Sequence, residues 1–348
     1  MNTILVSGAG GLVGSSVSEY FLRRNFRVIG IENDSRKKFF GDSASTRWRL
    51  SRLEENYKTF ENHKIDIASR GDILRLIAEV KPDVTIHTAA QPSHDFAATN
   101  AFLDFDVNAH GTLNLLEACR LHCPDTIFIH FSTNKVYGDS INDIPYVELE
   151  SRYEFSGIEY GVGIRESQTI DQSTHSLFGV SKTYADLAVQ EYGRNFGMKT
   201  TVLRGGCLTG PNHSAVEAHG FLSFLVLSAI RKKSYKIIGY KGKQVRDNLH
   251  VEDIAKLVEC VIESPNQGEV FNLGGGYDNS TSIIEAAEKL KRDYKLNFDV
   301  IEQPETRSGD HRVYYTSNRK LLSRYPNWRV ERDLDSIFSD LVSEWQNR

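Results

Sequence analysis

The sequence predicts an α/β fold in which helices cover both faces of a doubly wound parallel sheet, followed by a smaller mixed α/β lobe. Short apolar runs that fit buried strands alternate with amphipathic helical stretches over the first 205 residues. Strands joined through helices in this way pair in parallel, with right-handed crossovers. The first apolar run, residues 4–6, leads directly into a glycine-rich turn and then into a helix at residues 15–24.

Three glycines mark the turn after the first strand: Gly8, Gly11 and Gly14, in the spacing G-x-x-G-x-x-G. Glycines there permit a tight strand-to-helix turn, close approach of backbone N–H groups to a pyrophosphate, and close packing of helix on strand. Glu32 ends the second strand, 18 residues after Gly14, near the distance at which an acidic residue binds an adenosine ribose. A purely structural turn is the alternative, but the flanking strand and helix favour a Rossmann-type dinucleotide site.

The other elements follow in order along the chain. Strands are predicted at residues 27–31, 63–67, 84–87, 126–131 and 199–204, and helices at 71–80, 101–122 and 176–196. Residues 140–175 interrupt the alternation with a long polar stretch, which is typical of a functional loop or lid. Beyond Gly205 we predict a helix at 220–232, a strand at 235–238, a helix ending at 264, a strand at 270–273 and a helix at 282–294.

These elements suggest two domains. We expect residues 1–205 to form the dinucleotide-binding domain, with residues 247–275 returning to it. Residues 206–246 and 276–348 are expected to form the smaller lobe, which would bind the substrate.

The composition excludes several functional classes. With 348 residues, 40% hydrophobic residues and a net charge of −4, the chain offers no reason to expect nucleic acid or an anionic membrane as a partner. It has no apolar run of the roughly 18 residues that span a bilayer, and no basic leader precedes the first strand, so a cytoplasmic protein is expected. Its four cysteines fit free thiols better than a disulfide framework or a metal site, and no metal is predicted.

The choice of dinucleotide follows from the end of the second strand. A carboxylate at Glu32 favours the free 2′-hydroxyl of NAD and repels the 2′-phosphate of NADP. The basic run Arg36, Lys37 and Lys38 argues the other way, although a solvated loop explains it more simply. NAD is therefore the expected cofactor.

The chain resembles the extended short-chain dehydrogenase/reductase family along nearly its whole length. The resemblance rests on residues 8–14, Asp66, Asn108, residues 132–138 and residues 176–182. It implies a bound NAD that takes a hydride from a sugar carbon and returns it to the opposite face of the transient ketone.

A narrower resemblance is to the CDP-tyvelose (CDP-paratose) 2-epimerase group of that family. It rests on residues 132–139 (STNKVYGD), 175–182 (HSLFGVSK), 242–247 (GKQVRD) and the character of the loop at 161–171. It implies that the reacting carbon is C2 of a CDP-linked dideoxyhexose, as in the biosynthesis of lipopolysaccharide O-antigen or another cell-surface polysaccharide. The bound partner would then be a nucleotide-diphosphate sugar.

The resemblance also implies roles for individual residues. Lys182 would bind the nicotinamide ribose, the Thr133 hydroxyl would hold the reacting oxygen, and Asn134 would face the sugar beside it. Arg246 and Arg312 would clamp the diphosphate, unless salt bridges to neighbours such as Asp247 or Asp310 occupy them. The other cofactor-side positions are Gly8, Gly11, Leu12, Val13, Gly14, Glu32, Asn33, Asp66, Ile67, Ala89, Gln91, Asn108 and Ser132. Gln91 is also a substrate-side candidate, and His219 falls where the family lines the sugar pocket, although a core or surface histidine fits that position as well.

One position departs from the family pattern Tyr-x-x-x-Lys. Lys182 is present, but Phe178 stands at the tyrosine position, and a phenyl ring cannot exchange a proton. General acid–base groups contribute about 10²–10⁴-fold, so the sequence predicts an impaired enzyme. An engineered Tyr→Phe substitution explains this most simply, because the rest of the constellation is intact. Alternatively the chain is a binding protein without turnover, or another group moves the proton, the candidates being Tyr153, Tyr160, Glu166 and His175.

Two other reactions are compared with the 2-epimerase reaction, and the oligomeric state is considered last. A 4-epimerase needs the same groups and remains open. A 4,6-dehydratase would need an acidic pair after the threonine, whereas Asn134 and Lys135 follow Thr133 here. A homo-oligomer, either a dimer or a tetramer, is expected through the helices that carry Asn108 and Lys182.

Overall fold

The computed structural model describes residues 2–157, 161–217, 220–303 and 309–347. The strands are β1 (Thr3–Ser7), β2 (Arg27–Ile31), β3 (Phe60–His63), β4 (Val84–His87), β5 (Ile127–Thr133), β6 (Tyr146–Glu148), β7 (Tyr153–Phe155), β8 (Lys199–Gly205), β9 (Cys207–Thr209), β10 (Tyr235–Ile238), β11 (Val245–His250), β12 (Glu269–Leu273), β13 (Ser280–Ser282), β14 (Val300–Gln303) and β15 (Val313–Tyr314). The α-helices are α1 (Leu12–Leu22), α2 (Ser35–Phe40), α3 (Arg47–Asn56), α4 (Arg70–Val80), α5 (His94–Thr99), α6 (Ala101–Phe105), α7 (Gly111–His122), α8 (Ser176–Phe196), α9 (Phe221–Ile230), α10 (Val251–Glu263), α11 (Ile283–Tyr294), α12 (Arg319–Arg324) and α13 (Leu334–Asn347).

A seven-stranded parallel sheet organises the molecule, in the order β12-β8-β5-β4-β1-β2-β3. The central strand β1 lies between β4 and β2, and its apolar side chains are fully buried. Ile4 and Val6 join the hydrophobic cluster on one face of the sheet, and Leu5 joins the cluster on the other. Helices therefore cover both faces, which confirms the predicted doubly wound α/β fold.

The first helix begins at Leu12, three residues before the predicted start. Gly14 thus lies inside the first turn of the helix rather than in the preceding turn. The reason is steric: a Cβ on Gly14 would lie 2.1 Å from the backbone oxygen of Gly8, so only glycine lets the helix begin this close to the strand.

The third strand differs from the prediction. It spans Phe60–His63, not 63–67, because Phe60 pairs with Val28 and buries its ring in the core beneath the sheet. The alternation in residues 63–67 belongs to a connection in which Ile67 packs beside the opposite face of the sheet. Asp66 consequently lies past the strand, at the carboxyl edge of the sheet.

The predicted helix at 101–122 is interrupted by a π-helical turn, Asp106–His110, between α6 and α7. Asn108 lies in this turn and is buried. Such turns are rare and occur often at functional sites, because the extra residue redirects side chains.

The long polar stretch at 140–175 contains a short antiparallel hairpin, β6 and β7. Tyr153 and Phe155 of this hairpin pack with Val313, Tyr314 and Tyr315 in a separate cluster. Towards the C terminus, α9, α11 and α13 enclose another apolar core around β10. Within the described residues, no helix is long and apolar enough to cross a bilayer. The predicted division into two domains remains a prediction.

Candidate active site

A cleft of about 450 Å³ opens at the carboxyl ends of the central strands. In doubly wound sheets, ligands bind at this edge. The cleft gathers most of the residues that the sequence singles out. These are Gly8, Gly11, Leu12, Val13, Glu32, Asn33, Asp66, Ile67, Ala89, Ser132, Thr133, Asn134, Phe178, Lys182 and Arg246.

The glycine turn forms one wall of this cleft. Gly8 has a φ of 74°, and a Cβ there would lie 2.8 Å from the backbone nitrogen of Ala89, so neither the turn nor the packing admits a side chain. Gly11 is the N-cap of α1, whose N-terminus therefore faces the cleft. Backbone N–H groups and the positive end of a helix suit a pyrophosphate, so this wall fits a dinucleotide.

Glu32 lies beside the glycine turn, at the end of β2. Its carboxylate accepts hydrogen bonds from the backbone nitrogens of Gly10 at 3.1 Å and Asp34 at 2.7 Å. Burial raises the pKa of Glu32, while these backbone donors oppose the shift. Next to it, the Asn33 amide donates to Asp66 at 3.1 Å, so two of the predicted cofactor-side residues hold each other in place.

Arg36 does not fit the solvated loop expected for the basic run. It lines the cleft and donates to the carbonyl of Ser214 at 2.9 Å, and burial lowers its pKa to about 10. Lys37 and Lys38 are exposed, but they lie on the short helix α2 rather than in the expected loop. Sequence reasoning treated the three as one group because nothing local distinguishes them.

Lys182 is buried on α8 and reaches the end of β5. Its Nζ donates to the backbone oxygen of Phe131 at 2.8 Å and lies 3.3 Å from Nε2 of His130. Burial lowers the pKa of Lys182 to about 8, against the opposing charges of Asp186 and Asp104. Burial also holds the pKa of His130 well below its usual range, so a neutral ring faces the ammonium group.

Phe178 lies one turn before Lys182 on α8, with its ring buried against the cleft. The imidazole of His94, at the start of α5, packs edge-on against this ring with the centroids 5.1 Å apart. Nδ1 of His94 lies 2.8 Å from the Ser176 hydroxyl. His94 also lines the cleft, and sequence reasoning missed it. The available signal was its position shortly after the fourth strand, at the carboxyl edge of the sheet.

The other proposed acid–base residues lie elsewhere. Tyr153 packs in the hairpin cluster, the Glu166 carboxylate accepts from the backbone nitrogen of Asn272 at 2.7 Å, and His175 Nε2 lies 2.8 Å from the carbonyl of Ile170. Within the described part of the chain, none of these three lines the cleft. Tyr160 lies outside the described residues.

Gln91 and Asn108 lie behind the cleft wall rather than on it. The backbone nitrogen of Gln91 donates to Asn108 Oδ1 at 2.9 Å, and Asn108 Nδ2 donates back to the backbone oxygen of Gln91 at 3.0 Å. Both side chains also reach Asp104, and Asn108 reaches Ser181 on α8. Their direct contact with the cofactor is therefore not supported, because buried partners already engage both amides. They instead join the loop after β4 to α8.

A charged cluster lies at the other end of the cleft. The Asp310 carboxylate is 2.7 Å from Arg246 and 2.9 Å from Lys135. Burial opposes ionisation, but the two cations outweigh it and hold the pKa of Asp310 well below its usual range. Asp247, the other expected partner of Arg246, instead accepts from the backbone nitrogens of Gly276 and Thr316. Sequence reasoning had used Lys135 only to argue against dehydration.

Three predicted residues remain. Arg312 does not line the described cleft, because its guanidinium lies over the rings of Tyr146, at 5.2 Å, and Tyr240, at 5.6 Å. Gly14 also lies off the wall, packed under the glycine turn. His219 lies outside the described residues.

Comparisons with known proteins agree with this site. Residues 4–274 match the sequence model of the NAD dependent epimerase/dehydratase family. The chain is 34% identical to a CDP-paratose 2-epimerase of Salmonella typhi over 328 residues, covering 92% of each protein. It is 26% identical to dTDP-glucose 4,6-dehydratase 1 of Escherichia coli (strain K12), covering 98% of the chain and 92% of the relative. The structure of a UDP-glucose 4-epimerase of Thermus thermophilus in complex with NAD superposes with a TM-score of 0.79 at 23% identity, covering 99% of each chain. The protein therefore belongs to the NAD-dependent epimerase/dehydratase family, within the extended short-chain dehydrogenases/reductases, and its cofactor is NAD.

Proposed function

We propose that the protein is a nucleotide-sugar epimerase that interconverts CDP-paratose and CDP-tyvelose by transient oxidation at C2. The observation that carries this proposal is the 34% identity to a CDP-paratose 2-epimerase across 92% of both chains. The cleft supports it, because Thr133 and Lys182 lie in the same cleft as an arginine suited to phosphate. As predicted from the sequence, such an enzyme would be cytoplasmic and serve cell-surface polysaccharide synthesis.

The glycine turn and the N-terminus of α1 would bind the pyrophosphate of NAD, and Glu32 the adenosine ribose. When bound, NAD supplies the acceptor and donor for the sugar hydride. Lys182 would bind the nicotinamide ribose, since its ammonium group is buried and anchored on the Phe131 carbonyl. The Thr133 hydroxyl would hold the reacting oxygen, and Asn134 would contact the sugar beside it.

Arg246 and Lys135 would bind the diphosphate at the other end of the cleft. Two cations share one carboxylate there, so the cluster with Asp310 retains a net positive charge, which suits phosphate oxygens. Asn134 and Lys135 also argue against a dehydratase, because that chemistry would need an acidic pair directly after Thr133. Arg312 would support this end through its two tyrosines rather than bind phosphate directly.

The experiment is incubation of CDP-paratose with the NAD-loaded protein in D2O, followed by NMR and mass analysis. Formation of CDP-tyvelose without deuterium at C2 would support hydride return from NAD. Interconversion of UDP-glucose and UDP-galactose, with no change in CDP-paratose, would instead identify a 4-epimerase. Binding of CDP-paratose and UDP-glucose with no conversion would contradict the epimerase proposal and favour a binding protein.

The same assay tests the predicted impairment by Phe178. If the missing hydroxyl limits the rate, Phe178→Tyr should raise turnover by about 10²–10⁴-fold, the usual contribution of a general acid–base group. A natural enzyme that uses another proton-transfer group would gain little from that substitution. The Leu322→Tyr variant, at an exposed position on α12, is a suitable control for adding a tyrosine.

We also propose that two copies of the chain pair through α8. Leu177, Val180, Tyr184 and Leu187 recur on one face of this helix and are 40–46% exposed, and Phe102 on the neighbouring α6 is 90% exposed. An apolar stripe of this kind is typical of an interface. Leu187→Glu should convert the dimer or tetramer into a monomer, measured by light scattering coupled to size exclusion. Leu322→Glu, at a similarly exposed site on α12, should leave the assembly unchanged.

A further inference from the structure

The imidazole of His94 is the titratable ring packed on Phe178. The two ring centroids are 5.1 Å apart and the planes are inclined by 67°, so the edge of one ring faces the other. His94 shares the cleft with Thr133 and Lys182. It therefore contacts the ring that stands at the tyrosine position of the family pattern.

The Ser176 hydroxyl holds the imidazole in this orientation. Its oxygen lies 2.8 Å from Nδ1 of His94 and accepts a hydrogen bond from the Gly179 backbone nitrogen at 3.3 Å. A hydroxyl both donates and accepts, so it supports either tautomer of the histidine. The neutral imidazole can take up a proton to become imidazolium and later give the same proton back, which is what an epimerase needs in its two half-reactions.

We propose that His94 is the general acid–base residue of this enzyme and replaces the missing tyrosine. This inference rests on the proposed epimerase function. In the first half-reaction the O–H bond at the reacting carbon breaks and its proton passes to His94, while that carbon loses a hydride to NAD+. The sugar is oxidised by two electrons to a ketone, and the cofactor is reduced. In the second half-reaction the hydride returns to the opposite face and His94 returns the proton to the oxygen.

Histidine is suited to this role, because its unperturbed pKa of about 6.5 lets it accept and donate protons near neutrality. Three lysines of the cleft are bound in other ways, one of them Lys236, whose Nζ lies 3.9 Å from the Glu217 carboxylate. Lys182 donates to the Phe131 carbonyl, and Lys135 pairs with Asp310. The charged groups that line the same cleft are Lys182 on α8, Lys135 after β5, Asp310 and Arg36 on α2, and Asp95 follows His94 on its own helix.

The test compares the wild-type protein with His94→Gln, which preserves a hydrogen-bonding side chain but does not titrate in this range. We expect kcat for CDP-paratose to fall by about 10²–10⁴-fold, while KM and the affinity for NAD stay within about threefold. His110→Gln, on the surface of the π-helical turn, should retain wild-type turnover. Imidazole should restore part of the activity of His94→Gly, which separates loss of a proton carrier from loss of structure.

Two measurements do not depend on turnover alone. The pH profile of kcat should show an inflection in wild-type protein that is absent from His94→Gln. The NMR signal of the His94 ring should titrate in the NAD-loaded protein and shift when CDP-paratose binds. Turnover of His94→Gln at the wild-type rate, or a ring signal insensitive to the nucleotide sugar, would overturn the inference.

Phe178→Tyr distinguishes failure of the inference from failure of the proposed function. If wild-type protein is inactive and Phe178→Tyr converts CDP-paratose, the epimerase assignment stands and the role of His94 is overturned. If neither protein converts any nucleotide sugar, the proposed function fails and the role of His94 with it. An active wild type with inactive His94→Gln supports both.

Discussion

The two ends of the cleft are built in different ways. At the dinucleotide end, the glycine turn presents its backbone, and this turn and Glu32 lie within the first 32 residues of the chain. At the opposite end, Asp310 meets Arg246 from 64 positions away and Lys135 from 175 positions away. Recognition by backbone geometry is encoded locally, whereas recognition by charge depends on segments that only the tertiary structure brings together.

The two ends also differ in how ready they are for a ligand. The N-terminus of α1 presents its backbone to the cleft. Arg246 is already paired with Asp310, so under the proposed function a diphosphate would meet a guanidinium group that already holds an internal carboxylate.

The largest expected effect concerns the glycine turn at the dinucleotide end of the cleft. Gly14→Ala places a Cβ 2.1 Å from the Gly8 oxygen, so α1 must shift away from β1. We expect a loss of about 3 kcal/mol in the free energy of unfolding, the upper end of the range for overpacking, and loss of measurable NAD binding. Urea unfolding and calorimetric titration with NAD measure these two effects. Gly71→Ala is the matched control, because open space surrounds that position and stability should be unchanged or slightly higher. Equal behaviour of the two variants would contradict a steric role for Gly14.

Asp247, next to Arg246, gives the second prediction. Burial raises its pKa to about 6 from 3.8, so between these values the folded state binds more protons than the unfolded state. The free energy of unfolding must then fall as pH rises through this window, by up to about 3 kcal/mol from this group. Asp247→Asn should remove that contribution, so its stability relative to wild type should increase from pH 4 to pH 7 in urea unfolding series. The exposed variant Asp125→Asn should show no such trend. A flat difference for Asp247→Asn would mean that the carboxyl group does not titrate in this window.

The smallest of these effects concerns the opposite end of the cleft, where Arg246 and Lys135 pair with Asp310. Arg246→Met should weaken CDP-sugar binding by about 10–100-fold, since hydrogen bonds to charged groups contribute about 1.5–3 kcal/mol. NAD affinity should be unchanged, because Arg246 lies at the other end of the cleft. Calorimetric titrations with CDP-paratose and with NAD measure the two affinities, and Arg75→Met, at a 74% exposed site, is the control. Equal loss of both affinities would show that the two ends are not independent.

The sequence by itself determined the elements whose signals are local. The strands at Arg27–Ile31, Val84–His87 and Tyr235–Ile238 and the helix at Ser176–Phe196 begin and end where the residue patterns predict. The glycine turn and Glu32 were equally readable, because chain connectivity alone sets their spacing. Phe178 was recognisable as a departure for the same reason, since its distance from Lys182 is one helical turn.

Only the tertiary structure decided the rest. The third strand lies at Phe60–His63 because its pairing with β2 and the burial of Phe60 outweigh a local alternation. Asn108 and Gln91 bind each other instead of lining the cleft, and Arg312 lies between two tyrosines, because long-range neighbours compete for the same polar groups. His94 meets Phe178 across 84 positions of chain. A contact between residues so far apart in the chain leaves no local pattern in the sequence. Its energy comes from packing that exists only after the sheet and α8 have assembled.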